Sequence, residues 1–202
     1  MQQIRNLIVC LCLFSTNIFA QSDSLGWSRL YKPKGFSLMY AGGFGMFSGG
    51  IYINPIKNTE ITFTSGYTPK HFGAIWTING LLSYNIWKIK LNSHWEIHPF
   101  NAGAFLNLNI GKNIYFNYPS KYPDDYYWWN QAVRYGPFVH SELKYIPDKG
   151  NLNYKFFFQT STNDLYIASY GFNRSSIYLH EIFVFGFGIK VERQDIKRPF
   201  IE

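Results

Sequence analysis

Beyond residue 20 the chain has no cysteine, since both of its thiols, Cys10 and Cys12, fall in the first twenty residues. The remaining 182 residues hold together without disulfides and have neither thiolate metal ligands nor a cysteine nucleophile. Charge is scarce as well: charged residues make up 15% of the sequence, against about 25% in an ordinary soluble domain. That is too few to coat a water-facing surface. No segment after residue 20 approaches the roughly 18 apolar residues of a spanning helix. If this surface meets lipid, it does so through strands.

The first residues, Met1-Gln2-Gln3-Ile4-Arg5-Asn6, carry one positive charge and no acid, and they lead into the apolar run of residues 7–14. With the small Ala20 placed for cleavage, residues 1–20 read as a signal peptide. A lipid-modified Cys10 is disfavoured by the bulky Val9 before it and by the apolar run continuing past it. Removing 20 residues from 202 leaves 182, enough for one domain. The net charge of +7 falls to +6 with the loss of Arg5. This modest excess suits anionic lipid or lipopolysaccharide nearby, and equally an ordinary soluble surface.

Aromatics are abundant, at 20% of the chain, and much of the sequence alternates. Over residues 89–98, Ile89, Leu91, Trp95 and Ile97 share one parity, and Lys90, Asn92, His94, Glu96 and His98 the other; Ser93 breaks the pattern. A strand turns these sets to opposite faces, whereas a helix scatters both. Similar runs predict eight strands, at 36–47, 58–68, 74–86, 89–98, 100–111, 132–146, 151–163 and 177–191. Ile75, Leu81 and Trp87 are exceptions to the parity. Pro55, Pro69, Pro99, Pro119, Pro123 and Pro147 are placed between strands or in loops, as a residue without an N–H requires.

Bacterial barrels have short periplasmic turns and long external loops. From a periplasmic N-terminus the fifth strand runs outward into the long 112–131 segment, and the tight Pro147-Asp148-Lys149-Gly150 turn after the sixth is periplasmic. A soluble ligand-carrying barrel has the same alternation with its apolar face inward, but it needs a densely charged exterior. Here the polar faces are mostly Asn, Thr, Ser, Gly and Gln, the chemistry of a lumen. The expected organisation is a signal peptide (1–20), a periplasmic segment (21–35), an eight-stranded antiparallel transmembrane β-barrel (36–191) and a polar tail (192–202). Tyr40, Trp76, Tyr84, Trp87, Trp95, Tyr135, Tyr145 and Tyr154 suit girdles at the headgroup level.

Inward charges should pair, and Glu60, Lys90, Glu96, Arg134, Glu142, Lys144, Lys155 and Lys190 are the expected network. His94, Glu96 and His98 share a face, with His140, Glu142 and His180 expected on the same interior. A carboxylate can orient an imidazole for acid–base work. Strand neighbours two residues apart lie about 7 Å from each other, which suits a network better than a coordination shell, so no metal and no cofactor is expected. His140-Ser141-Glu142 is not a triad, because parity points Ser141 the other way. Tyr126, Tyr127, Trp128 and Trp129 offer flat faces for sugars or lipid headgroups, or else cap the barrel within its outer girdle.

The stretches Gly66-Tyr67-Thr68-Pro69-Lys70, Tyr126-Tyr127-Trp128-Trp129 and residues 162–170 resemble a family of small, uncharacterised outer-membrane barrel proteins of Gram-negative bacteria. That resemblance implies fold and location; the expected partners are outer-membrane lipids and lipopolysaccharide, with the barrel-assembly machinery during biogenesis and no nucleic acid. The chain also resembles, more faintly, the outer-membrane lipid A deacylases, whose penultimate strand carries a His-x-Ser motif. Over residues 166–171 Ser169 matches the serine, but Ile167 stands where the histidine would be. An anchoring or surface-interaction barrel is therefore the first expectation, and a lipid-modifying hydrolase the second.

Overall fold

A computed structural model describes residues 32–112, 114–116 and 131–194. The expected signal peptide, nearly all of the 21–35 segment, Tyr126, Tyr127, Trp128, Trp129 and the end of the tail lie outside those residues. Nine strands form one antiparallel sheet: β1 (Gly35–Ala41), β2 (Phe47–Ile53), β3 (Thr59–Thr68), β4 (Ile75–Asn85), the two-residue β5 (Ile89–Lys90), β6 (Trp95–Ile110), β7 (Val133–Tyr145), β8 (Leu152–Ser161) and β9 (Val184–Arg193). Each strand except β4 pairs with its next neighbour in sequence, β4 pairs with β6 instead, and β1 pairs with β9, so the eight longer strands close into a barrel.

The expected eight strands and their antiparallel closure stand, with two members reassigned. Residues 36–47 hold two elements, because the chain reverses through Ala41-Gly42-Gly43, where φ is +61°, +79° and +86°. In the other direction, Pro99 does not separate two strands but lies inside the 16-residue β6. It sits in a β-bulge: His98 pairs with Glu142 and Asn101 with His140, leaving Pro99 and Phe100 opposite Ser141 alone. An extra residue in a bulge needs no ladder hydrogen bond, so proline costs little there. Ser141 Oγ donates to the Pro99 carbonyl at 2.6 Å. The bulge also resets parity, letting His98 and Asn101 both turn inward and Phe100 outward.

The alternating run 89–98 folds as a hairpin rather than as one strand. Ile89 faces Ile97 and Lys90 faces Glu96. Asn92 makes the turn, its side-chain oxygen accepting from the amides of His94 and Trp95 at 2.9 Å each. This competition of a short polar side chain with the ladder is what asparagine does in turns.

The alternation is inverted relative to a soluble barrel. Buried side chains are largely polar, among them Ser37, Thr62, Thr64, Asn79, Asn107 and Gln159, while Leu38 is 61% exposed and Phe36, Phe63, Leu106 and Phe187 also stand outward. Outward rings meet across strands: Tyr40 with Phe47 and Phe187 at 5.2 and 5.4 Å, Tyr67 with Trp76 at 4.8 Å, and Trp95 with Tyr145 at 4.7 Å.

One end of the barrel carries the β1–β2, β3–β4, β6–β7 and β8–β9 connections, two of them long; the other carries three shorter turns and both termini of the described barrel. The β8–β9 connection contains α1 (Asp164–Phe172). Asn163 caps it, its side-chain oxygen accepting from the Tyr166 amide at 3.0 Å. The strand expected from residue 177 begins at Val184, after a 3-10 turn at Leu179–Ile182.

Candidate functional site

The lumen is stoppered near its long-loop end by residues 42–46, which fold inward. Three successive carbonyls of this loop are held by side chains from three strands. Ser161 Oγ donates to Gly42 O at 2.9 Å, Asn107 Nδ2 to Gly43 O at 3.0 Å, and Thr77 Oγ1 to Phe44 O at 2.8 Å. Phe44 itself is 0% exposed and packs edge-on to Phe105 at 4.8 Å, in a cluster with Met39, Leu81, Phe138 and Phe157. Leu81, an exception to the parity in sequence, points inward because this stopper needs an apolar socket. Gly66 lets the loop come close, since a Cβ there would lie 2.0 Å from Phe44 O.

Beside the stopper lies an ion-pair network. Lys190 Nζ sits 2.6 Å from Glu60 Oε1 and pairs with Glu142. Glu142 also meets His140 Nε2 at 3.2 Å, and its second oxygen lies 3.7 Å from His98 Nδ1. Lys155 lies 3.0 Å from Glu192, which pairs with Lys144 too and accepts from Tyr52 Oη at 2.9 Å and Asn153 Nδ2 at 3.2 Å. The Tyr52 ring lies under both the Lys155 and Lys190 ammonium groups, at 5.2 and 5.7 Å. Lys88 pairs with Glu96 at 2.9 Å. Four lysines (88, 144, 155, 190) thus balance four glutamates (60, 96, 142, 192). Toward the short-turn end a polar cavity of about 140 Å³ opens, lined by Asn54, Asn58, Asn85, His98, Asn101 and Lys155 among others. Asn85 Nδ2 lies 2.5 Å from His98 Nδ1.

Of the residues singled out in sequence, Glu96, His98, His140 and Glu142 converge inside as expected, and Glu60, Lys144, Lys155 and Lys190 join them. Others go elsewhere. His94 sits on the hairpin turn and binds Asp148 at 2.7 Å, because residues 91–94 reverse the chain instead of extending it. Lys90 is exposed on β5. Arg134 pairs with Asp164 at 3.4 Å near the long-loop end. His180 lies exposed in the 3-10 turn, stacked on Tyr178 with centroids 5.8 Å apart, because the strand expected to turn it inward starts four residues later. Ser169, which matches the deacylase serine but lies between the expected strands 151–163 and 177–191, is on α1, where its carbonyl accepts from the Asn173 amide. The Asn163 cap starts a helix there and the strand ends at Ser161.

Sequence reasoning missed Tyr52, Lys88, Glu192 and the 42–46 stopper. Glu192, assigned to the tail, lies in β9 and is 3% exposed. Its signal was available, since Lys190 and Glu192 continue the inward parity of Gly186 and Gly188. Tyr52 was hidden by Gly49-Gly50, which blurs the alternation of β2.

Each buried carboxylate already has a lysine, and Ser141 faces out, its hydroxyl bound to Pro99 O, so the His140-Ser141-Glu142 string forms no nucleophile–base pair. Among the described residues no three His, Asp or Glu side chains converge to hold a metal ion. In comparisons with known proteins, no family model and no curated protein matches the chain.

Proposed function

We propose that this protein is a small outer-membrane β-barrel with an anchoring or surface-interaction role, closed to the passage of solutes. The observation that carries the reading is the inverted polarity: phenylalanines, leucines and tryptophans stand outward around a lumen of paired charges and amides. A water-soluble monomer rarely exposes an apolar patch beyond about 300–600 Å², whereas lipid demands one. Strands β3, β4, β8 and β9 have 10 or 11 residues, matching the roughly 9–11 that cross a bilayer at a tilt. Loop lengths support an orientation with the long connections outside and the termini in the periplasm. Outer-membrane lipids, lipopolysaccharide and the barrel-assembly machinery are then its partners.

Membrane fractionation of expressing cells tests this. The protein should stay with the outer membrane after alkaline extraction and give a β-rich circular dichroism spectrum in detergent. Recovery in the soluble periplasmic fraction would refute the reading. In planar bilayers it should give no steady conductance, because the 42–46 loop and the ion pairs fill the lumen. The acyl composition of lipid A should be the same in cells with and without it.

A further inference from the structure

We infer that the short-turn end of the barrel is a docking surface for anionic phospholipid headgroups, an inference that rests on the membrane reading above and names the lipid class. Among the described residues this end exposes six cations: Lys32 before β1, Lys57 in the β2–β3 turn, Lys88 between β4 and β5, which reaches in to Glu96, Lys90 on β5, Lys149 in the β7–β8 turn and Arg193 at the end of β9. The exposed carboxylate at this end is Asp148, and it is held by His94 at 2.7 Å. Glu60, Glu96 and Glu192, whose sequence positions are close by, are drawn inward, Glu60 and Glu192 to the buried Lys190 and Lys155 and Glu96 to the half-exposed Lys88. The acids at this end are thus paired, while Lys32, Lys57, Lys90, Lys149 and Arg193 stand exposed on the rim.

Apolar groups stand beside these charges. Trp87, Ile89, Leu91 and Ile56 are all exposed on the same turns, Trp87 at 62%. They continue the outward apolar belt, since the Trp87 ring lies 6.3 Å from that of Phe100, which the β6 bulge turns outward. Exposed tryptophan and aliphatic side chains interleaved with lysines are the composition that sits at an anionic lipid interface: the apolar groups enter the acyl boundary while the long lysine stems reach the phosphates. Each basic group near such a surface adds attraction that fades within a Debye length, so salt should weaken it.

The test uses the full chain refolded into phosphatidylcholine vesicles with and without phosphatidylglycerol, with the urea midpoint of unfolding as readout. Phosphatidylglycerol should raise the midpoint at low salt, and molar sodium chloride should abolish the rise. The triple variant Lys57→Gln/Lys90→Gln/Lys149→Gln should lose the rise while keeping the parent's midpoint in pure phosphatidylcholine. Lys70→Gln/Lys112→Gln, at the opposite end, should retain it. A triple variant that responds to phosphatidylglycerol as the parent does overturns the inference, as does loss of the response in the opposite-end variant. Inorganic phosphate giving the same rise would assign the rim to free anions instead, which also overturns it. Failure of the parent to enter phosphatidylcholine vesicles at all would count against the membrane reading itself, and is seen separately by flotation.

Discussion

Replacing Lys190 with methionine tests the luminal network where it is most concentrated. Its ammonium is the shared partner of Glu60 and Glu142, lies 5.0 Å over the Phe157 ring and 5.7 Å over that of Tyr52, and the residue is only 4% exposed. Methionine fills nearly the same volume, so packing changes little and the loss is electrostatic. Two carboxylates are left facing each other's charge, and removing one partner from a buried ion pair costs about 3–5 kcal/mol. With a urea dependence of roughly 2 kcal/mol/M, this lowers the unfolding midpoint by about 2 M. The combined variant Glu60→Gln/Glu142→Gln/Lys190→Met removes the stranded charges and should recover most of the loss, so the single effects will be far from additive. Lys90→Met serves as the control: it was expected in the same network, but its side chain is exposed and should shift the midpoint negligibly. The assay is equilibrium unfolding of refolded protein in vesicles, followed by circular dichroism. Lys190→Met unfolding within about 0.5 M of the parent, a stability change near 1 kcal/mol, would refute the claim that these charges are buried and mutually dependent.

Three further variants probe the stopper, the helix and the surface. Gly66→Ala would place a methyl 2.0 Å from Phe44 O and 2.7 Å from Thr77 Oγ1. The loop must move, at a cost of about 1–3 kcal/mol in unfolding experiments, and planar bilayers should register ion flow that the parent lacks. Gly171→Ala, in α1 with nothing within 4 Å of the added carbon, should instead stabilise the protein by up to about 0.5–1 kcal/mol, read in the same unfolding assay. His94→Ala breaks the exposed pair with Asp148 and the exposed contact of its Nδ1 with Ser93 Oγ at 3.0 Å, and should cost less than about 1 kcal/mol by the same measurement, where Glu142→Ala costs several times that.

The barrel was legible because a sheet with one polar and one apolar face writes its pleat into every other residue. What blurred the reading was local. Ala41-Gly42-Gly43-Phe44-Gly45 keeps an aromatic at the right spacing while reversing the chain, so two strands read as one. Asn92 and Ser93, the one interruption in the clearest alternating run, marked a hairpin turn whose two arms happen to keep a common parity. Proline at position 99 signals a break in an isolated strand, yet a bulge opposite Ser141 absorbs it. Six of the paired charges, Glu60, Glu96, Glu142, Lys144, Lys155 and Lys190, could be named from parity, whereas Lys88 and Glu192 were missed, and the partners could not be named. Which lysine meets which glutamate depends on register between strands far apart in sequence, as with Glu60 and Lys190. The helix that carries Ser169 was not legible for a related reason: α1 offers no buried face to write a period into its sequence, and only the Asn163 cap announces it.

The last strand holds both Lys190 and Glu192, and between them these two residues satisfy charges on β3, β7 and β8. Before β9 docks, Glu142 lacks its lysine and Lys144 its carboxylate, while Glu60 and Lys155 have only each other, at 4.0 Å. A seven-stranded sheet is therefore mispaired on both counts at once, while a single docking step cures both. Closure should be all-or-none, and it should wait for β9. A nascent barrel truncated before Lys190 would have every other strand in hand and still no reason to shut.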